Sequence, residues 1–167
     1  MGQNHAAFEL AVRSFSGDLY RYAYWLSRNP TDAEDLVQEC FQRAWRSWHT
    51  LKDDQAVKQW LLKILRREFL RRFDKTIPVF TDLEEADLIP ITTLGYDDAY
   101  AVRQAIHQAP VHLREALVLQ VIGGFSCEEI AEIQGTSSGA VMTRLTRARQ
   151  WLKASLSDQG LRKGVLK

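Results

Sequence analysis

Apolar residues recur along most of this chain at intervals of three and four, the spacing that places side chains on one face of an α-helix. Phe8, Leu10, Ala11 and Phe15 predict a short opening helix that Gly17 interrupts. Leu19, Tyr20, Tyr22, Ala23, Trp25 and Leu26 predict a second, rich in aromatics, which ends near Asn29-Pro30 because proline cannot continue it. Thr31 and Glu34 then have the spacing of a capping box. Behind them Ala33, Leu36, Val37, Cys40, Phe41, Ala44, Trp45 and Trp48 trace a long apolar stripe, and the polar side of that helix carries Glu34, Asp35, Gln38, Glu39 and Gln42. After a polar loop at 51–55, a further helix is expected from Ala56 through Trp60, Leu61, Ile64 and Leu65 to Phe73. The pattern lapses over 74–98, which holds Pro78, Pro90 and Gly95 and reads as a linker. It returns in a helix at about 99–108 and in another that Pro110 starts and Gly123-Gly124 ends. The fold class expected is all-α, in two small helical domains.

The last apolar stretch is the most specific. Ser126 and Glu129 form a capping box, Ile130, Ala131 and Ile133 supply an inner face, and Gly135 stops the helix. Ser137 caps the next helix, whose inner face is Val141, Leu145, Ala148 and Leu152. Arg144, Arg147 and Arg149 fall on the other side. Two helices, a tight glycine turn and a basic outer face are the components of a DNA-binding helix-turn-helix. An ordinary helical hairpin with a solvated basic face has the same pattern, so the rest of the chain must decide.

Charge sharpens the division. The 167 residues carry a net charge of only +1, but residues 1–73 hold +3, residues 74–98 hold −6 and residues 99–167 hold +4. Two basic lobes about an acidic connector suit two modules that face nucleic acid. In the 56–73 helix, Lys58, Lys63, Arg66, Arg67, Arg71 and Arg72 interleave with Trp60, Phe69 and Phe73. Such a mixture suits a single strand, since cations follow phosphates while apolar and aromatic groups receive unstacked bases. The bland alternative keeps Trp60 and Phe69 in the core and the arginines in water. Nothing approaches the roughly 20 apolar residues of a membrane span, and the N-terminus lacks the basic and apolar regions of a signal peptide. Gly2 lacks the serine or threonine that supports myristoylation. Cys40 and Cys127 stand alone, and His5, His49, His107 and His112 have no ligand spacing, so no metal and no cofactor is assigned. A reduced, cytoplasmic protein is expected.

Two segments resemble one family. Asp32-Ala-Glu-Asp-Leu-Val-Gln-Glu39, with Phe41, Ala44-Trp45, Trp60-Leu61 and Ile64, resembles region 2 of bacterial RNA polymerase sigma factors. Leu113-Arg-Glu-Ala-Leu117, Gly124-Phe-Ser126, Glu129-Ile-Ala131, Gly139-Ala-Val141, Arg144-Leu145 and Arg147-Ala-Arg149 are similar to region 4. Their order, and the lack of any domain between them, resembles the extracytoplasmic-function (ECF) subgroup. The resemblance implies region 2 over 1–73, a flexible acidic linker over 74–98, region 4 over 99–156 and a tail over 157–167. It implies that Asp35, Gln38 and Glu39 dock on a helical clamp of the polymerase core. It also implies that the loop at about 51–58 captures a flipped base of the −10 element, with Lys58, Trp60, Lys63, Arg66, Arg67 and Arg71 meeting −10 DNA. In region 4, Ser138, Met142, Arg144, Arg147 and Arg149 would meet the −35 element. An anti-sigma factor, commonly membrane-anchored, is the further implied partner.

The chain departs from the family pattern in two places. Leu65-Arg66-Arg67 replaces the common Ala-Arg-Asn, with Arg71 where an aspartate is usual, and Met142 replaces a lysine or arginine. Promoter preference therefore does not transfer. An autonomous helix-turn-helix regulator would explain 113–152 but leave the Asp35/Gln38/Glu39 face idle. An enzyme has no support, since there is no nucleophile–base pairing, metal spacing or phosphate-cradling glycine loop.

Overall fold

A computed structural model describes residues 2–73, 96–121 and 123–158. Among them every regular element is helical. The long helices are α1 (Gly2–Ser27), α2 (Pro30–Ser47), α3 (Val57–Phe73), α4 (Tyr96–Gln108), α5 (Val111–Val121), α6 (Cys127–Gln134) and α7 (Ser138–Asp158). Short 3₁₀ turns at Trp48–Thr50 and Asp54–Ala56 join α2 to α3.

Helix α1 runs through Gly17, where the sequence predicts a break. A mid-helix glycine costs roughly 1 kcal/mol against alanine, and burial of Ala11, Leu19, Tyr22, Ala23 and Leu26 along one stripe outweighs it. The start of α2 also differs from expectation. Asn29, not Thr31, is the N-cap: its Oδ1 accepts from Thr31 N at 2.9 Å and Asp32 N at 3.1 Å, and Pro30 takes the first helical position, where it has no amide to orphan. Helix α4 begins at Tyr96, inside the stretch read as linker, and α7 continues to Asp158, past the expected end of region 4. Leu156, on the α7 stripe with Leu152, is fully buried, which explains the extension. Residues 74–95, most of the expected linker, and 159–167, most of the expected tail, lie outside the described residues.

The two lobes do not stand apart. Core residues of α1, α2 and α3 (Leu19, Leu36, Leu61, Leu65) form one apolar cluster with Ala116, Val118 and Leu119 of α5, Ile130 and Ile133 of α6 and Val141 and Leu145 of α7. A second cluster, within the C-terminal lobe, joins α4, α5 and α7 through Val102, Ala105, Leu113, Leu117, Ala148, Leu152 and Leu156. Helix α5 is therefore buried on both sides, and even Arg114 and Glu115 are below 5% exposure.

Candidate nucleic-acid interface

The helix-turn-helix forms as its capping residues dictate. Ser126 Oγ accepts from Glu129 N at 3.2 Å, and the Glu129 carboxylate accepts from Ser126 N at 3.0 Å. Gly135 takes φ +65°, a left-handed conformation that glycine reaches without strain, and its N–H closes α6 onto the Ala131 and Glu132 carbonyls. Ser137 Oγ then accepts from Ala140 N at 3.2 Å to start α7. Val141, Leu145, Ala148 and Leu152 are buried, so the opposite side of α7 is fixed. Met142 lies there, 54% exposed, next to the N-terminus of the helix that begins at Ser138. Arg144 and Arg149 are partly committed within the lobe, donating to Gln134 Oε1 at 2.7 Å and Gln120 Oε1 at 2.9 Å. Arg147 is half-buried, and with Arg144 its positive field, after burial, depresses the pKa of His112 to about 4.

In the N-terminal lobe, Asp35 and Gln38 are exposed on α2, and Glu39 is half-buried beside them. Their carboxylates face cations of α3: Arg72 Nη1 lies 4.0 Å from Asp35, and Arg71 Nη2 donates to Glu39 at 2.8 Å. Arg71 also donates to Glu68 at 2.6 Å, and Glu68, only 5% exposed, pairs with Arg43 as well. The Glu68 hydrogen bond, followed by its charge and then by Glu39, raises the Arg71 pKa further. Polymerase-facing and strand-facing candidates thus form one network. Arg67 is exposed on the rim of a cavity of about 320 Å³ with Arg43, Arg46, Ser47 and Ile64, and Glu68 lines its wall. Trp60 is half-buried, edge-on to Trp48 at 5.8 Å and packed on the core.

The other α3 cations turn toward the C-terminal lobe. Lys58 lies 5.4 Å over the Phe125 ring and 3.3 Å from Asp18, Lys63 lies 4.0 Å from Glu132, and Arg66 donates to Glu115 at 2.6 Å. Glu115 also accepts from the Tyr22 hydroxyl at 2.6 Å, and burial followed by the Glu115 charge pushes the Tyr22 pKa well up. Arg114 donates to Leu26 O across the same interface, and burial, then Arg28, lowers its pKa to about 10. Sequence reasoning missed Glu68, Glu115 and Tyr22. For the two carboxylates the available signal was a charge on the inward face of a helix, as in Leu113-Arg-Glu-Ala-Leu117. Among the described residues no group of three or more His, Cys, Asp or Glu is placed to hold a metal ion, and no helix is long and apolar enough to cross a membrane. Cys40 is buried with Sγ 3.3 Å from Leu61 O, and burial, then Glu68, pushes its pKa up to about 12.

Among the described residues, all-helical architecture, a capped helix-turn-helix and an aromatic, arginine-rich N-terminal lobe are features of transcription proteins that meet DNA through two modules. Comparison with known proteins specifies the class. Residues 11–76 match sigma-70 region 2, and residues 100–152 match sigma-70 region 4. RNA polymerase sigma factor SigV of Bacillus subtilis is 33% identical over 86% of this chain and 87% of its own length. ECF RNA polymerase sigma factor SigM of Mycobacterium tuberculosis is 31% identical over 86% and 74%. Sigma factor RpoE of Bartonella quintana, solved with anti-sigma factor NepR, superposes with a TM-score of 0.67 at 29% identity, covering 90% of this chain and 96% of that one. CnrH, solved with the cytosolic domain of CnrY, gives 0.69 at 25% identity, covering 92% and 90%. This chain belongs to the ECF family of RNA polymerase sigma factors.

Proposed function

We propose that this sigma factor acts in the cytoplasm as a dissociable, non-catalytic specificity subunit that binds RNA polymerase core through Asp35, Gln38 and Glu39 and promoter DNA through both lobes. The N-terminal lobe, about 1–73, binds core and melts the −10 element with Lys58, Trp60, Lys63, Arg66, Arg67 and Arg71. The C-terminal lobe, about 99–156, reads the −35 element with Ser138 and Met142 at base edges and Arg144, Arg147 and Arg149 on or near phosphates. The observation that carries this assignment is the exposed Met142 at the start of a helix whose inner face is fully committed to the core. Carboxylates on α2 suit a basic partner and repel phosphate, which supports polymerase rather than DNA as their ligand.

The structurally similar sigma factor RpoE of Bartonella quintana was solved with the anti-sigma factor NepR, and CnrH was solved with the cytosolic domain of CnrY. We infer that this chain is likewise silenced by an anti-sigma factor that competes with core. The test is transcription from a promoter library with purified core, with and without this protein. Promoter-dependent RNA synthesis that requires it supports the proposal. Duplex binding with no effect on core enzyme identifies an autonomous regulator instead.

A further inference from the structure

We infer that the cavity between the C-terminal ends of α1 and α3 and the start of α5 binds a small amphipathic organic anion, a carboxylate on a flat apolar body. The cavity holds about 350 Å³, and Leu26, Phe69, Phe73, Val111, Arg28 and Arg114 are among the residues that line it. That volume is at the lower end of those that take small-molecule ligands. Phe69 and Phe73 form an aromatic wall, their rings tilted by 34° with centroids 5.0 Å apart. No carboxylate lines the cavity, whereas two guanidinium groups do.

Arg114 is only 3% exposed, yet it lacks a counter-charge. Its Nη1 donates to the His107 and Ala109 carbonyls at 3.0 and 2.9 Å and its Nη2 to Leu26 O at 2.8 Å, while Nε has no partner among the described residues. All three acceptors are neutral. The adjacent carboxylate, Glu115, accepts from Tyr22 and Arg66 instead. A buried charge is normally paired, because neutral acceptors only partly replace the water it has lost. Helix α5 adds to the excess. It has no acidic residue in its first turn, and Pro110 and Val111 at its positive end line the same cavity. Burial, then the Arg28 charge, lowers the Arg114 pKa to about 10, so the group stays cationic at neutral pH. Arg28 is exposed and, at φ +59°, the one non-glycine residue in the left-handed region among the described residues. A residue with a Cβ holds that conformation only where its surroundings over-determine it. Its Nη1 donates to His107 O at 2.8 Å, which fixes the guanidinium at the rim. A carboxylate seated there lies between a buried and an exposed guanidinium, and a flat apolar body behind it covers Phe69 and Phe73. A bare inorganic anion leaves those walls unfilled.

The experiment titrates the full chain with indole-3-acetate, with its neutral amide and with inorganic phosphate, read by calorimetry and by the thermal midpoint. The acid should bind once per chain and raise the midpoint, since a ligand that binds only the folded state stabilises it. The amide and phosphate should each bind at least about tenfold more weakly, the first for lack of charge and the second for lack of an apolar body. Glycine takes the backbone conformation of Arg28 without strain, so Arg28→Gly should fold, weaken the acid about tenfold and leave the amide unchanged. Gln108→Glu, in the same lining, supplies the missing negative charge from within. It should raise the midpoint of the free protein and weaken the acid while keeping the helical signal. No saturable binding of the acid at millimolar concentration, or equal binding of acid and amide, overturns the site. Acid affinity unchanged in both variants overturns it as well. Phosphate bound as tightly as the acid identifies a general anion contact and overturns the amphipathic ligand.

Discussion

Glu39 of α2 and Arg71 of α3 are hydrogen-bonded at 2.8 Å, so a carboxylate assigned to polymerase and a guanidinium assigned to DNA occupy each other in the free protein. Arg72 and Asp35 repeat the arrangement more loosely at 4.0 Å, exposed at both ends, where such a pair contributes at most about 1 kcal/mol. A basic clamp that took the carboxylates would release Arg72 and leave Arg71 held by Glu68 alone. The D35K/E39K double variant should keep its helical circular dichroism but lose affinity for core by at least about tenfold in a pull-down titration. Association equal to wild type would remove these residues from the docking face.

The corrected ends of α1 and α2 give a stability test. Asn29→Ala removes an acceptor from two helix-start amides and should cost about 1 kcal/mol by urea unfolding, whereas Thr31→Ala should cost far less. A larger loss at Thr31 would restore the capping box expected from sequence. A Cβ at Gly17 would meet nothing nearer than the tip of Arg21 at 3.9 Å. Gly17→Ala should therefore stabilise by about 0.5–1 kcal/mol, and destabilisation would show that α1 bends there in solution.

Local rules made much of this molecule legible. Ser126, Glu129, Gly135 and Ser137 act through neighbours in sequence, so the helix-turn-helix boundaries are readable without a fold. The apolar stripe from Ala33 to Ala44 and that from Val141 to Leu152 likewise report burial through a period each helix imposes on itself. What could not be read is which surfaces meet across long separations. Tyr22 and Glu115 are 93 positions apart, and Arg66 and Glu115 are 49 apart, and no periodicity records either pairing. Gly17 shows the complementary failure, where tertiary burial overrode a local breaker. Of the candidate site, α2 and α7 present Asp35, Gln38 and Met142 outward as expected, while Lys58, Lys63 and Arg66 point into an interface that sequence reasoning did not anticipate.

Acid should loosen the C-terminal lobe through its two histidines. Burial, then Arg144 and Arg147, lowers the His112 pKa from 6.5 to about 4, and burial, then Arg114 and Arg28, lowers that of His107, which stacks on Trp25 at 4.3 Å. Between the unfolded and folded values the unfolded chain binds more protons, so stability is full above about pH 6.5 and falls as pH drops toward about 4. His112→Gln, a neutral replacement, should flatten the fall in unfolding midpoint measured from pH 7 to pH 5. A slope identical to wild type would show that His112 is not held neutral by the fold.

Recognition of duplex DNA separates two side chains on the outer side of α7. Met142 is 54% exposed near the helix start, where an apolar side chain can touch a thymine methyl, while Arg147 lies more than a turn further along. Arg147→Ala should weaken binding to all −35 sequences alike and lower the slope of log affinity against log salt by about one, since one phosphate contact and its counterion are lost. Met142→Arg should instead redistribute preference among sequences, favouring guanine where the parent favours thymine, as read by selection from a randomised −35 library. Arg149, bonded to Gln120 on α5, provides the control: Arg149→Ala should lower the thermal midpoint more than it changes sequence preference. If Met142→Arg and Arg147→Ala alter affinity uniformly and to the same extent, α7 does not read bases from its N-terminal end, and the register of this helix in the groove must be reassigned.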